Sequence, residues 1–305
     1  PLILEAKVSL GSAKGRIDHL AVDTRRLRLF VAELGNNSVG VIDLGKAKLL
    51  PSLNRLDQPQ GVLFVAATDE LYVSNGGDGS IRVFAGEDLV PTATVSLGSD
   101  ADNLRLDPMG KYVVAGYGNG GLAKIDVRSH RVSARIPLQG HPEAFQLSQD
   151  GRRAFVNVPE KHEIAIVDIA EGKTTLSWPV TGTGDNFPLA LETSGGGLWV
   201  GLRGPPRLLH FDTGRGEPTL SLESCEDSDD LFIDNRRRRL YVICGSGHVD
   251  VWEQRGTGYE RIARIATSPG ARTGLYVPEL DRLYIASRAN ASQPASILVF
   301  RPGPD

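Results

Sequence analysis

One short pattern recurs along the whole chain and leaves few folds open. Seven times an aromatic or apolar residue is followed by a β-branched residue and then by a small or polar one. The seven are Phe30-Val31-Ala32, Tyr72-Val73-Ser74, Val113-Val114-Ala115, Phe155-Val156-Asn157, Trp199-Val200-Gly201, Tyr241-Val242-Ile243 and Tyr284-Ile285-Ala286. The central residues 31, 73, 114, 156, 200, 242 and 285 are spaced by 42, 41, 42, 44, 42 and 43. A period that regular marks a repeat architecture, in which each unit buries its apolar faces against its neighbours.

Around each anchor the same order returns: an apolar run, the anchor strand, a Gly or Asn turn, an alternating strand and a fourth strand. In the third unit these are Leu104 to Leu106, Val113, Leu122 to Asp126 and Val132 to Leu138. Period-2 alternation between turn residues predicts four short strands per unit. The 35 Gly, 18 Pro and single Met of a 305-residue chain suit many strands joined by tight turns. A four-stranded unit of this length is the size of a β-propeller blade. The expected fold is therefore an all-β, seven-bladed β-propeller of four-stranded antiparallel blades, one domain over residues 1–305. A β-solenoid and a pair of sandwiches are the alternatives. After the seventh anchor one more strand remains, Ser296 to Phe300, so the last blade lacks its outer strand. Leu4 to Leu10 reads like the fourth strands Ala93 to Leu97 and Ala134 to Leu138, and it is expected to complete that blade and cover its edge.

Leu71-Tyr72-Val73-Ser74-Asn75, followed by Gly76-Gly77, resembles the YVTN-type β-propeller repeat of secreted, surface-layer and periplasmic bacterial proteins. The resemblance runs over nearly the whole chain. It implies a seven-bladed fold and a periplasmic or secreted location. It does not imply one activity, because related propellers include binding scaffolds, lactonases, lyases and dehydrogenase subunits. The third strands end in Ile42-Asp43, Ile125-Asp126 and Phe211-Asp212 rather than in a Trp-Asp dipeptide, which disfavours a WD-repeat scaffold.

Charge and cysteine content narrow the partners. With 34 Lys and Arg against 37 Asp and Glu, the formal charge is −3, too balanced for affinity built on phosphate neutralisation, so nucleic acid is not expected. No apolar run is long enough to span a bilayer, and membrane insertion is not expected. The sequence begins at Pro1, which fits removal of an upstream export segment. Cys225 and Cys244 match neither a redox pair nor a haem or four-cysteine zinc motif. Two separate thiols and one disulfide both remain open, since the fold brings the two towards the same face. Arg236 to Arg239 reads as a solvated turn rather than a nucleic-acid patch.

In a propeller the first strand of each blade starts beside the central channel, so the residues just ahead of it show what the channel mouth presents. Those positions are polar in almost every blade: Asp18, His19, Gln60, Asp102, Asn103, His141, Glu143, Asn186, Asp229, Asp230 and Arg272. Asp and Asn ahead of a strand also satisfy backbone N–H groups in Asx-turns. Several carboxylates in one ring nevertheless call for raised pKa values or a cation among them. A divalent metal ion is one such cation: calcium or magnesium if oxygen ligands alone serve, zinc, manganese, iron or copper if His19 or His141 joins them. Second-strand ends add Glu33, Asn75, Tyr117, Arg203 and Arg288 as rim contacts, with Tyr117 placed to stack on a ligand and Arg203 to clamp an anion.

These residues support a binding module for a small polar ligand, ion or peptide segment. They also support a metal-assisted lactonase or lyase, with Glu143 or Asp229 as base, an imidazole as acid, and Arg272 or a metal polarising a carbonyl. A protein-interaction scaffold is the third reading. No GxSxG nucleophile elbow is present.

Overall fold

A computed structural model describes residues 1–181 and 185–304. It is an all-β seven-bladed propeller, seven antiparallel sheets of four strands each. Blade 3 is typical: Ala101–Leu106, Tyr112–Tyr117, Gly121–Asp126 and Val132–Pro137 pair in chain order. The seventh blade departs from that order as expected. Leu2–Ser9 is its outer strand and pairs with Ser296–Pro302 from Leu2↔Pro302 to Ser9↔Ser296. Leu2 and Val8 of that strand are buried, and Gly303 N–H donates to Pro1 O at 2.6 Å.

By contact density the chain divides into two compact units, Pro1–Lys14 with Thr181–Asp305, and Gly15–Val180. Blades 1 to 4 form the second of these and blades 5 to 7 the first. Within each unit, first strands of successive blades lie against one another. The anchors are the second strands, and they are buried on both faces: Phe30, Tyr72, Trp199 and Tyr241 are at most 1% exposed. A strand enclosed on both sides reads as an apolar run rather than an alternating one, which is why the anchors repeat so visibly. Fully burying one such large side chain contributes about 1.5–3 kcal/mol. Outer strands carry little of the core; Lys173–Pro179 buries Trp178 alone.

Two blade pairs are bolted by the same charged device at their first hairpins. In blade 1, Arg26 donates to Asp23 at 2.8 Å and to both oxygens of Asp69 of blade 2 at 2.6 Å. In blade 6, Arg237 donates to Asp234 at 3.0 Å and to Asp281 of blade 7 at 2.7 and 2.8 Å. Asp69 and Asp281 both adopt positive φ, 57° and 50°, which turns each carboxylate towards its fork. Arg237 also donates from Nε to Gly303 O at 3.0 Å, and Arg239 to Gly303 O at 3.1 Å and Pro304 O at 3.2 Å. The Arg236–Arg239 run is therefore not a solvated turn throughout. Side chains of Arg237 and Arg239 are 5% and 4% exposed, because carboxylates and the C-terminal carbonyls replace their water.

Candidate functional site

Sequence periodicity places the candidate residues immediately ahead of each first strand. For blades 1 and 4 this holds: His19 precedes Leu20–Asp23, and His141 and Glu143 precede Phe145–Leu147. In blade 7, Arg272 lies two residues ahead of Gly274–Val277. Elsewhere the strands begin earlier, as Pro59–Val65, Ala101–Leu106, Asn186–Leu191 and Ser228–Asp234. Gln60, Asp102, Asn103, Asn186, Asp229 and Asp230 thus lie inside strands, at or beside a register shift. The shifts fall between Pro59 and Val62, Ala101 and Leu104, Asn186 and Leu189, and Ser228 and Asp230. A bulge inserts a residue out of the two-residue period and re-aims its side chain.

The segment leading into the bulge is fixed the same way in three blades. Gln58, Asp100 and Asp227 adopt left-handed backbone with φ of 52°, 38° and 58°. Their carbonyls accept from Gly76 at 2.9 Å, Gly118 at 3.0 Å and Gly245 at 2.8 Å, each just past the second strand of the same blade. A Cβ at Gly245 would run into the Asp227 carboxylate, so only glycine allows this approach.

In the unit Gly15–Val180 the polar residues form a continuous series. Asp18, 2% exposed, holds Arg16 at 2.8 Å and lies 3.6 Å from His19 Nε2. The His19 N–H donates to Gln60 O at 3.2 Å, and the Gln60 amide donates to Asp100 Oδ1 at 2.9 Å. His141 closes the series: Nδ1 is 2.6 Å from Gly118 O and 3.7 Å from Asp100, and Nε2 is 3.6 Å from Asp102. Burial of the ring opposes its charge, but the Asp102 carboxylate, the Gly118 carbonyl and the Glu143 charge outweigh it and push the His141 pKa up to about 9. His141 is an imidazolium at neutral pH. Beside it, Asn103 is 2% exposed, and its buried side-chain oxygen has no hydrogen-bond partner among the described residues.

In the other unit, the two guanidiniums face two carboxylates. Arg272 contacts Asp227 at 3.0 Å and Asp229 at 2.9 Å. Arg203 donates to Asp229 and to Ser228 O at 3.0 Å, lies 3.5 Å from Asp227, and stacks 3.3 Å above the Phe187 ring. Asp230 accepts from the Gly274 N–H at 2.8 Å, joining blade 6 to blade 7. Cys225 and Cys244 form a disulfide, with Cα atoms 5.8 Å apart.

No protein-family model matches the chain, and no curated protein matches it. The fold is shared with solved structures. Hydrazine synthase of Kuenenia stuttgartiensis superposes with a TM-score of 0.83 at 15% identity, over 96% of this chain and 97% of that one. A chain in a structure of the mitotic checkpoint complex gives 0.83 at 13% identity, over 98% and 91%. At such identities the likeness concerns the fold alone.

The structure brings together Asp18, His19, Gln60, Asp102 and His141 in one unit, with Glu143 near enough to act on the His141 charge. In the other unit it joins Asp229 to Arg272 and Asp230 to Gly274. Asn186 is fully buried at the start of its strand. Three rim residues have structural partners instead of open faces: Tyr117 lies 5.3 Å under Arg135, Glu33 is buried and bonded to Ser38 at 2.6 Å, and Asn75 is fully buried, accepting from the Asp57 N–H at 3.1 Å and donating to Ser80 Oγ at 3.2 Å. Arg203 does clamp an anion, but the anion is the chain's own Asp229. Arg16, Asp100 and Asp227 are not among the expected site residues. Both aspartates stand in an Asp-x-Asp sequence, Asp100-Ala101-Asp102 and Asp227-Ser228-Asp229, but their left-handed backbone lies outside the extended periodicity that would have marked them. Among the described residues no group of three or more His, Cys, Asp or Glu is placed to hold a metal ion. The carboxylates are met by Arg, His and amide groups.

Proposed function

We propose that the chain is an extracytoplasmic propeller of the YVTN type that captures a small polar ligand through the side chains on its first strands. The observation that carries this reading is the bulge at one equivalent place in blades 2, 3, 5 and 6, with polar side chains at or beside it in each. Register shifts also occur between third and fourth strands, as at Val83/Phe84 and Lys124/Ile125, so what sets the first-strand bulges apart is the polar side chains at them.

The chemistry of blades 1 to 4 favours a ligand that donates hydrogen bonds or carries positive charge. Asp18, Asp100, Asp102 and Glu143 outnumber Arg16 and the His141 imidazolium. The buried Asn103 oxygen has no donor, a state that costs about 1–3 kcal/mol when nothing relieves it. The Cys225–Cys244 bond supports an oxidising compartment and hence a periplasmic or secreted location.

Calorimetry against calcium, manganese, a diamine, an amino-acid panel and simple lactones tests the reading. A saturable ligand is expected, with affinity reduced about tenfold or more in Asn103→Ala and Asp102→Asn, corresponding to about 1.4 kcal/mol or more, in variants whose circular dichroism shows the sheets still folded. Turnover of a lactone would move the assignment to a lactonase. Binding that ignores both substitutions would remove the site from blades 1 to 4.

A further inference from the structure

The two carboxylates that hold Arg203 and Arg272 follow closely on a crosslinked cysteine. Asp227 is two residues and Asp229 four residues beyond Cys225, whose partner Cys244 ends the neighbouring strand Arg239–Cys244. The span between is held at several points. Glu226 O accepts from Ser246 at 3.3 Å, Asp227 O accepts from Gly245 at 2.8 Å, and Ser228 pairs with Cys244 before the register shifts.

This short span has reasons to open if released. Asp227 is a non-glycine residue in left-handed backbone, and its side chain is 43% exposed. The surrounding core does not depend on the bond in the same way. Cys225 and Cys244 are 3% and 0% exposed and pack with Trp199, Leu231, Leu240 and Val242. A free cysteine packs as a small apolar side chain, so that cluster survives when the two sulfurs part.

We propose that the Cys225–Cys244 disulfide is a positioning element for the Asp227–Asp229 clamp on Arg203 and Arg272, so that the clamp loosens when the bond is reduced. The bond contributes by shortening the set of conformations open to residues 225–230, not by packing. A dithiol cleaves it by thiolate attack on one Sγ. Two electrons and two protons convert the pair to two thiols, and the dithiol leaves as its cyclic disulfide. Closing the bond needs a protein or small-molecule disulfide as oxidant, which takes up the same two electrons. In a reducing compartment the chain holds its sheets with a loose clamp, and export to an oxidising one completes the site. Only this last consequence rests on the ligand-binding reading.

The experiment uses the full chain labelled with 15N, comparing the oxidised protein with Cys225→Ala/Cys244→Ala and Cys225→Ser/Cys244→Ser. The guanidinium NηH signals of Arg203 and Arg272, shifted and protected in the oxidised protein by Asp229 and Asp227, are expected to move towards the position of solvated arginine. Amide exchange at Gly245 and Ser246 should quicken by about tenfold or more, while Leu231 and Val242 keep their protection. Reduction of the wild type by dithiothreitol should reproduce these changes, and reoxidation with glutathione disulfide should reverse them. Unchanged arginine signals and exchange rates in both variants overturn the proposal. Loss of protection at Leu231 and Val242 overturns it too, because the bond would then hold the whole sheet. No ligand enters these measurements, so they leave the ligand-binding reading to its own test.

Discussion

Among the candidate site side chains, His141 is held well away from its ordinary protonation. Its pKa is raised from 6.5 to about 9, so its contribution to stability is whole below about pH 6.5 and is lost as pH rises through about 9. That shift corresponds to roughly 3 kcal/mol. Ring resonances followed by NMR should titrate near 9, and a denaturant series should show His141→Gln losing much less stability than wild type between pH 6 and 10. A ring that titrates near 6.5 would contradict the assigned partners. At this scale the sequence was partly legible. The repeat aligns Asp102, His141 and Glu143 near the starts of successive first strands, but the Gly118 carbonyl and Asp100 reach His141 only through the left-handed turn at Asp100. Backbone of that hand on a non-glycine residue leaves no mark in residue type or spacing.

At the scale of elements, the second strands were readable because they are enclosed on both faces, and the bulges were not. A bulge breaks the two-residue alternation that reveals a strand, so Gln60, Asp102 and Asp229 look like residues ahead of strands when they lie within them. Gly245→Ala tests the lead-in geometry, since the added methyl displaces the Asp227 carboxylate. It should lower stability by about 1–3 kcal/mol and disturb the Arg272 side-chain signal, as measured by denaturation and NMR. Deletion of Leu2–Ser9 tests the shared seventh blade. It unpairs Ser296–Pro302 and uncovers Ile297 and Phe300, so light scattering should find self-association and calorimetry a lower melting temperature.

Across the whole molecule the period near 42 residues, with its seven anchors and the unpaired last blade, was enough to define the architecture. Charge partners were less legible. The Arg237 fork binds Asp281 from a turn 44 residues later and Gly303 at the far end of the chain. Arg237→Ala leaves Asp234 buried without that partner and should cost about 3–5 kcal/mol, read as a shifted denaturation midpoint with an unchanged slope. The pairing of Leu2 with Pro302 carries a different consequence. Pro1 and Gly303 stand side by side, so a few glycines could link them without disturbing a sheet. New ends could then be cut at the exposed turn around Gly256. For this protein the order in which the blades are synthesised is separable from the structure they form.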